Sequence, residues 1–467
     1  MAARIRIALD RGAKAPLTAQ IHAAVAGAIR DGRLAAGARL PSWRDLAAQL
    51  GVARGTVRAA YERLIDEQLV IAAGAAGTHV AARPTAPAAA MRQAEAPPLP
   101  ELFPDFGAAP LPFQMGVPAQ DAFPATLWSR IMARQARAAA AAPVSYPDPR
   151  GQPALRREIA AYLAIARGIA CTPGQVMVTA GFAGALNLAI RTLRLEGRTA
   201  WQEEPGFPLT RIALGLAGVA AAAVPVDGEG LDVAAGIRIA PQAAVAIVTP
   251  GQQAPLGVTM TLGRRMALLA WARESGGWII EDDYLGELQV HGRAAPALLS
   301  LDRDGRVLHA GSFSKTISPA LRLGFLVVPP ALAARAGEIA VTLAPAPAPA
   351  TQGAVTEFMA EGHFLRHLRR MKRLYAGRRA MLVEALRAAG GTAAASGSLS
   401  VRLDLPDGAP DTEIAIRALP FGLAPVPLSP WHAEAPRRHG LLLGVTNLAE
   451  RRLAADCARL MSLVRSA

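Results

Sequence analysis

Lys315 is the side chain of this sequence that is best placed for covalent chemistry. The chain has 50 lysines and arginines, and only three of them are lysines: Lys14, Lys315 and Lys372. Arginine replaces lysine on a surface, but it supplies no primary amine. Lys315 follows the apolar run 307–310, and burial there lowers the pKa of an amine and favours a Schiff base with an aldehyde. The nearby hydroxyls and guanidinium that can bind a phosphate are those of Ser312, Ser314 and Arg322.

A second set of reactive side chains lies directly after another apolar run, residues 278–280. Glu281, Asp282, Asp283 and Tyr284 follow it directly. A carboxylate at the end of a buried strand can pair with a protonated ring nitrogen, and the phenol can reach an oxygen on the same ring. An apolar strand that ends in two aspartates is also typical of a turn or of a metal ligand. This segment alone leaves these interpretations open.

Two further segments contain glycine turns. The run 176–179 is followed by Gly181 and by a helical stretch that begins at Phe182, and a helix N-terminus after a strand binds anions. The loop 203–208 contains two prolines and Phe207. Proline restricts the backbone, so this loop holds its aromatic ring in place for stacking on another ring.

These segments belong to an alternation of short strands and helices. Runs rich in β-branched and apolar residues lie at 176–179, 245–248, 278–280 and 307–309, with helical stretches between them. This order predicts an α/β domain with a mainly parallel sheet. A chain of 467 residues is long enough for two or three domains. We predict an N-terminal domain at 1–82, a linker with eight prolines at 83–112, and the α/β domain at 113–467.

The N-terminal 82 residues have the pattern of a winged helix-turn-helix. Apolar residues recur every four positions from Leu17 to Ile29, which predicts a helix that ends near Asp31. Ser42 caps a second predicted helix, 43–50, and a glycine turn leads to a third helix, 54–67. Two short strands within 69–82, joined by a turn at 74–77, form the wing.

This N-terminal segment is also basic. It has 11 basic and 6 acidic residues, a net charge of +5 out of +14 for the whole chain, which favours a polyanion as partner. The first turn of the third helix can reach base edges in the major groove of DNA, although an ordinary solvated helix face is the alternative. The residues predicted to contact DNA are Arg39, Ser42, Arg44, Arg54, Gly55, Thr56, Arg58, Gly77 and Thr78.

Residues 16–82 resemble the winged helix-turn-helix of the GntR superfamily. The resemblance rests on the segments 39–44, 46–47, 50–52 and 56–61. The family usually has a serine at the position of Ala53 and a polar residue at Gly55. The resemblance therefore implies that one phosphate contact is missing here and that binding depends more on the arginines.

Residues 113–467 resemble the fold type I aminotransferases, which use pyridoxal 5′-phosphate. The segment Tyr146-Pro147-Asp148-Pro149-Arg150-Gly151 and the segment from Ser312 to Gly324 match family motifs. The resemblance implies that Lys315, the catalytic residue, forms a Schiff base with the cofactor. It also implies that Asp282 pairs with the ring nitrogen, that Tyr284 reaches the phenolic oxygen and that Phe207 stacks on the ring. The phosphate would be bound by the amides and side chains of Gly181, Phe182, Ser312, Ser314 and Arg322.

The resemblance fails at two positions that matter for amino-acid substrates. Ala254 lies where the aminotransferases have an asparagine, and Leu441–Leu443 lies where they have an arginine that binds the substrate carboxylate. Without that bidentate contact an amino acid is poorly oriented for transamination. The arginines that remain as replacements are Arg402, Arg437 and Arg438.

The whole chain resembles the MocR (GabR-like) regulators, in which a GntR-type head is joined to an aminotransferase-like domain. The resemblance implies a homodimeric transcription regulator that binds DNA and pyridoxal phosphate and senses an amine, an amino acid or a B6 vitamer. The alternative is a working aminotransferase with an accessory DNA-binding module. Cys171 and Cys457 form no disulfide framework, and no uncharged apolar stretch is long enough to span a bilayer, so we expect a cytoplasmic protein.

Overall fold

The structure is a computed structural model, and it describes six parts of the chain: 7–82, 109–285, 288–289, 295–395, 397–435 and 437–467. The chain divides into two compact units on either side of residue 106. Most of the predicted linker, residues 83–108, lies outside the described residues. Within the described parts, no helix is both long enough and apolar enough to cross a membrane.

The N-terminal unit contains three helices and a two-stranded sheet in the predicted order. The helices are α1 (Leu17–Arg30), α2 (Trp43–Leu50) and α3 (Arg54–Asp66), and the strands are β1 (Val70–Ala72) and β2 (Thr78–Val80). The strands pair antiparallel around a short 3-10 turn. One apolar face of each helix is buried in a common core. The fold is that of a winged helix-turn-helix.

Local chemistry sets the helix boundaries in this unit. The Ser42 side chain accepts a hydrogen bond from the backbone N–H of Asp45, which caps α2. Gly51 ends α2 in the left-handed conformation, with a φ of 59°. The buried hydroxyl of Tyr61, on α3, donates to the carbonyl of Pro41 at 3.0 Å and fixes the third helix against the turn before the second.

The C-terminal unit contains twelve of the helices described and twelve of the strands. Its helices are α4 (Ala125–Ala141), α5 (Pro153–Arg167), α6 (Gly181–Leu193), α7 (Pro208–Leu216), α8 (Val233–Ile239), α9 (Leu262–Ser275), α10 (Leu298–Leu301), α11 (Ala333–Thr342), α12 (Pro349–Ala360), α13 (His363–Ala388), α14 (Asp411–Ala418) and α15 (Leu453–Arg465). Its strands are β3 (Val176–Thr179), β4 (Thr199–Glu204), β5 (Ala220–Asp227), β6 (Gly230–Leu231), β7 (Val245–Val248), β8 (Trp278–Asp283), β9 (Val307–Ser312), β10 (Gly324–Val327), β11 (Ala393–Ala395), β12 (Ser400–Asp404), β13 (Val426–Pro427) and β14 (Gly440–Gly444).

Eight strands form the central sheet, in the order β3-β10-β9-β8-β7-β4-β5-β6. Strands β9, β8, β7, β4 and β5 are parallel, while β10 and β6 run antiparallel to their neighbours. The prediction of a mainly parallel sheet is therefore confirmed. The carboxyl ends of parallel strands meet at one edge, which is where α/β proteins bind ligands. Strands β4, β7, β8 and β9 end at this edge.

A second, smaller sheet is antiparallel and has the strand order β11-β12-β14-β13. Alternate residues of β14 face opposite sides of this sheet, as strand geometry requires. Leu441 and Leu443 pack into the main core, whereas Leu442 belongs to a separate apolar cluster with Leu428 and Trp431. This difference matters for the functional site.

Candidate functional site

Lys315 lies three residues beyond the end of β9 and is half-buried. Its Nζ donates to the carbonyl oxygen of Gly116 at 2.5 Å, and a Cβ at Gly116 would lie 3.0 Å from the same nitrogen. Burial lowers the pKa of the Lys315 amine to about 8, against the opposing attraction of the Asp282 carboxylate. A lysine with this pKa is partly neutral near pH 8 and can act as a nucleophile.

Asp282 lies on β8, opposite Ala310 of the neighbouring strand β9. Burial raises the pKa of its carboxyl well above the usual value, and the charges of Asp283 and Glu203 add to the effect, with only Lys315 opposing it. Among the described residues the Asp282 carboxyl has no hydrogen bond or ion pair. A buried carboxylate is costly without a partner, so a protonated ring nitrogen beside it would satisfy it.

The two acids on either side of Asp282 have partners inside the protein. Glu281 pairs with His309 at 2.9 Å and accepts hydrogen bonds from two backbone amides at the start of α10. Asp283 forms a buried ion pair with Arg167 at 2.7 Å. In the described parts of the chain, no group of three or more His, Cys, Asp or Glu side chains is arranged to hold a metal ion. Asp282 and Asp283 both lie within β8, and in the described part of the chain Asp283 is paired whereas Asp282 is not.

Tyr284 follows β8 directly and lies beside Asp282. Burial and the negative charge of Asp282 raise the pKa of the Tyr284 phenol, while a hydrogen bond with Gln252 opposes the shift. The phenol therefore stays protonated and can donate a hydrogen bond to an oxygen on a bound ring.

Phe207 precedes α7 and packs against Trp431, with the ring centroids 5.7 Å apart. The backbone N–H of Gly206 donates to the carbonyl of Trp431 at 3.1 Å and joins the two segments. The ring of Phe207 is thus held by Trp431, which is 224 residues away in sequence. Trp431 is a site residue that sequence reasoning missed. The isolated tryptophan in a proline-containing loop offered no periodic or motif signal.

The predicted phosphate-binding residues meet where β3 and β9 end and β10 begins. Gly324 pairs with Thr179 on one side and with Ser312 on the other, so β3, β10 and β9 bring their ends together. Helix α6 starts beside them at Gly181, and its N-cap residue, Ala180, makes no side-chain cap. The first amides of α6 are therefore open to an anion.

The hydroxyls of the lysine segment are arranged around the same point. Ser312 Oγ is 3.0 Å from Ser314 Oγ and accepts the backbone N–H of Ser314. Arg322 is exposed and adopts a left-handed backbone with a φ of 46°, two residues before the start of β10. Amides, hydroxyls and a guanidinium are the donors that phosphate requires.

The motif at residues 146–151 has a structural role that its sequence did not reveal. Asp148 accepts hydrogen bonds from Arg150 and Arg156, and Gly151 has a φ of 110°. A Cβ at Gly151 would lie only 2.2 Å from Val178 on β3. Glycine is therefore required for the close approach of this turn to the strand that precedes α6.

Residues 113–121, which we name the strap, cross the site and carry Gly116. The N–H of Gly444 donates to the Phe113 carbonyl at 2.7 Å, and the N–H of Ala119 donates to the Tyr375 hydroxyl at 3.0 Å. Asp121 forms an ion pair with Arg378 of α13. These contacts hold the Gly116 carbonyl beside Lys315. Sequence reasoning missed the strap because its partners are hundreds of residues away.

Of the three arginines expected as replacements for the substrate-carboxylate arginine of the aminotransferases, one is already paired within the protein. Arg402 is held by both oxygens of Asp404, at 2.5 and 3.2 Å. Arg437 and Arg438 are exposed. Leu442, the middle residue of the stretch 441–443 where the arginine was expected, is fully buried.

The loop after β7, which carries Ala254, is fixed by a buried acid. Glu203 accepts hydrogen bonds from the backbone and the hydroxyl of Thr249, at 3.0 and 2.5 Å. Burial raises the pKa of Glu203 to about 7, and these hydrogen bonds oppose the shift. Ala254 packs at the edge of the cluster formed by Leu428, Trp431 and Leu442.

In the N-terminal unit, the first turn of α3 is open to a partner. Arg54, Gly55 and Arg58 are exposed and Thr56 is half-buried, while Arg58 pairs with Glu62 along the helix. The residue before α3 is Ala53, whose methyl side chain has no acceptor to cap the helix. The Thr56 amide donates to the Ala53 carbonyl at 3.0 Å, which leaves the Arg54 and Gly55 amides of the first turn for a phosphate.

The remaining predicted DNA contacts lie around the wing and the start of α2. Arg39 is exposed, and its Nε would lie 3.0 Å from a Cβ at Gly77, which has a φ of 94°. Arg44 is exposed and lies over the Trp43 ring at 4.8 Å. Thr78 begins β2 and is half-buried, and Ser42 is exposed but already caps α2. The structure brings these residues together on one small domain with the first turn of α3.

The fold of the large unit is that of the fold type I aminotransferases. It is similar to an archaeal alanine:glyoxylate aminotransferase, with a TM-score of 0.71 at 24% identity over 77% of this chain and 92% of that one. It is also similar to the α-aminoadipate aminotransferase LysN of Thermus thermophilus, with a TM-score of 0.68 at 27% identity over 76% and 92%. The family model "Aminotransferase class I and II" matches residues 117–403, and "Bacterial regulatory proteins, gntR family" matches residues 17–80.

The chain belongs to the MocR-type regulators of the GntR family. It is 37% identical to the "Probable rhizopine catabolism regulatory protein MocR" of Rhizobium meliloti, over 81% of this chain and 78% of that protein. It is 34% identical to the transcriptional regulator TauR of Rhodobacter capsulatus, over 88% of each chain. It is 32% identical to the pyridoxine biosynthesis transcriptional regulator PdxR of Corynebacterium glutamicum, over 83% and 82%.

Proposed function

We propose that this protein is a transcription regulator that binds duplex DNA through its N-terminal unit and pyridoxal 5′-phosphate through its C-terminal unit. The observation that supports it most is the presence, in one chain, of an exposed basic first turn of α3 and of a buried Asp282 near Lys315 that has no partner among the described residues. A protein that was only a catalyst would not need the exposed basic turn of α3. A protein that only bound DNA would not need a buried carboxylate near a lysine.

The residues present fit the cofactor. Among the described residues Asp282 has no hydrogen-bond or ion-pair partner, and the charge of the Lys315 amine acts on the pKa of its carboxyl. When bound, pyridoxal phosphate supplies an aldehyde that reacts with primary amines and a ring that withdraws electrons. Asp282 would hold the ring nitrogen protonated, Tyr284 would donate to the ring oxygen and Phe207 would cover one face of the ring. The groups that would hold the phosphate are the amides of Gly181 and Phe182, with Ser312, Ser314 and Arg322.

We also propose that the protein acts as a homodimer in the cytoplasm. Val144 and Tyr146 are fully exposed in the segment that leads to the Asp148 turn. A second copy of the chain that packed on this segment would cover these apolar side chains. Two N-terminal units would read paired half-sites on DNA. The effector would be an amine, an amino acid or a B6 vitamer, and it changes DNA affinity only if it binds two arrangements of the dimer unequally.

The second candidate is a working aminotransferase, favoured by the lowered pKa of Lys315. The buried Leu442 argues against it, because an amino-acid substrate would lack its bidentate partner there. If the protein converted an amino donor to its keto acid over many turnovers, this second candidate would be established.

The test combines visible absorbance with DNA binding. The purified protein should bind pyridoxal phosphate and show the absorbance of the bound cofactor, and Lys315→Ala should lose it. Lys372→Ala, which removes the other lysine of the large unit, is the matched control and should keep it. DNA binding is measured on a duplex selected from a random library, and Arg54→Ala should weaken it. An unchanged spectrum in Lys315→Ala would refute the role of this lysine.

A further inference from the structure

A group of buried charged side chains lies on the opposite face of the central sheet from Asp282, and the proposed function gives it no role. Successive residues of a strand point to opposite faces, so Glu281 and Asp283 share one face of β8 and Asp282 has the other. His309 of β9 is directly opposite Glu281 in the sheet and shares the face of the two outer acids. We name this group the buried ion cluster, and its members are Arg167, Arg265, Glu281, Asp283 and His309.

His309 is in contact with both outer acids. Its Nδ1 is 2.9 Å from an Oε of Glu281, and its Nε2 is 3.8 Å from an Oδ of Asp283. A neutral imidazole has one N–H for these two carboxylates, whereas an imidazolium presents an N–H to each of them. Burial and the charge of Arg167 lower the pKa of His309, but Glu281 and Asp283 outweigh them and raise it. The geometry therefore favours a positively charged ring between the two acids.

The other members of the cluster are also shielded from water. Arg167 pairs with Asp283 at 2.7 Å, and their side chains are 1% and 4% exposed. Arg265 of α9 is buried and donates to three backbone carbonyls at 2.6–2.9 Å. Charges that water does not screen act more strongly on their neighbours than surface charges do. A change of charge at His309 is therefore felt by the acids around it.

The cluster acts on Asp282 through the two acids next to it in the chain. Burial raises the pKa of the Asp282 carboxyl, and the charges of nearby acids, among them Asp283 and Glu281, raise it further. An uncompensated negative charge on either neighbour makes a negative Asp282 more costly. The imidazolium of His309 contacts both neighbours and offsets their charge from the opposite face of the sheet.

We propose that His309 is a positioning residue for the ring nitrogen of pyridoxal phosphate. Its positive charge balances the two outer acids, so that Asp282 is ionised and can hold a proton on that nitrogen. This inference rests on the proposed function, because it concerns how the cofactor is held. It goes further, because it assigns a role to a histidine on the face of the sheet opposite Asp282.

Two compounds that differ in one ring atom separate this role from a structural one. Pyridoxal 5′-phosphate has the ring nitrogen, whereas 1-deazapyridoxal 5′-phosphate has a C–H in its place and gains nothing from an ionised Asp282. The affinity of the full-length protein for each compound is measured by absorbance titration. The quantity compared between variants is the ratio of the two affinities, because a general loss of structure weakens both and leaves the ratio unchanged.

His309→Asn keeps a neutral donor beside Glu281 and removes the positive charge. We expect this variant to bind pyridoxal phosphate about tenfold more weakly and the deaza compound within about twofold of the native protein. The ratio of the affinities should therefore fall by about tenfold. An unchanged ratio would overturn the proposal.

A charge-balanced double variant gives a second readout. Glu281→Gln removes one negative charge, and in the His309→Asn background it should restore the ratio to within about threefold of the native value. A merely structural role predicts no restoration, because the double variant loses native contacts on both strands. If His309→Asn does not fold, Glu281→Gln alone still decides: a ratio equal to or above the native one supports the proposal, and a lower ratio overturns it.

His22→Asn is the matched control. It removes a histidine that pairs with Glu67 at 2.8 Å in the N-terminal unit, and it should leave the ratio unchanged. Glu287, His291 and Arg293 lie outside the described residues. They are the same in every variant, so the comparison does not depend on them.

The proposed function fails in a different way. A native protein that binds neither compound refutes the cofactor proposal before any variant is made. A native protein that binds pyridoxal phosphate, with the same ratio of affinities in His309→Asn, refutes only the role of His309.

Discussion

The buried amine of Lys315 predicts a specific dependence of stability on pH. Lowering the pKa from 10.5 to about 8 means that the fold disfavours the charged amine by about 3 kcal/mol if solvent screens none of it. Because Lys315 is half-buried, we reduce this to about 1–2 kcal/mol. The perturbation is Lys315→Met, which leaves an unbranched side chain one heavy atom shorter and removes the charge.

The sign follows from proton binding in the two states. Below about pH 8 the amine is charged in both the folded and the unfolded chain, so the full penalty is present. Between about pH 8 and 10.5 the folded protein releases the proton first, and the stability of the native chain rises with pH. Lys315→Met lacks this rise. The loss of the hydrogen bond to Gly116 changes the stability of the variant by an amount that does not depend on this titration.

The assay is urea unfolding of the cofactor-free protein, followed by tryptophan fluorescence. Five of the six tryptophans lie beyond residue 106, so the signal reports mainly the large unit. We expect the difference in unfolding free energy, variant minus native, to be about 1–2 kcal/mol larger at pH 7 than at about pH 10. Lys372→Met controls for the loss of a lysine away from Asp282. The same difference at both pH values would refute a buried, partly neutral amine at Lys315.

Three further predictions concern other parts of the chain. Gly151→Ala forces a Cβ to within 2.2 Å of Val178 and should lower the unfolding free energy of the large unit by about 2–4 kcal/mol. An unchanged urea midpoint would contradict the close approach of the turn at Gly151 to Val178. Gly55→Ala adds a methyl group to α3 that would have no atom within 4 Å, and it should stabilise the N-terminal unit by about 1 kcal/mol. The measurement is thermal unfolding of residues 7–82, and a lower melting temperature of the variant would count against a regular helix there. Asp282→Asn removes the partner proposed for the ring nitrogen and should weaken pyridoxal phosphate binding by about tenfold or more, measured by absorbance titration; unaltered affinity would remove Asp282 from the site.

Much of the N-terminal unit follows from local rules that a sequence displays. The four-residue spacing of apolar side chains, the Ser42 cap and the Gly51 turn each involve neighbours in the chain. The predicted helices end within one residue of those observed, for example at Asp66 where Glu67 was expected. Local hydrogen bonds and local periodicity decide such boundaries.

The candidate site was only partly predictable. The lysine segment and the acidic end of β8 were visible because each is a short motif at the end of an apolar run. Taken by themselves, the three consecutive acids could not be told apart, and only the resemblance to the aminotransferases pointed to Asp282. The packing of β8 revealed that Arg167 pairs with Asp283 and His309 with Glu281, and that Asp282 has no partner within the described parts of the chain.

The sequence by itself determined that this chain joins a basic helix-turn-helix to an α/β domain with a reactive lysine, because strand ends, caps and charge composition are local properties. The tertiary structure decided what surrounds that lysine. The Gly116 carbonyl is 199 residues away in sequence, and Leu442 meets Phe207 and Trp431 through contacts between separate sheets and loops. Burial, charge compensation and the shape of a site depend on such distant pairs, and no local pattern specifies them.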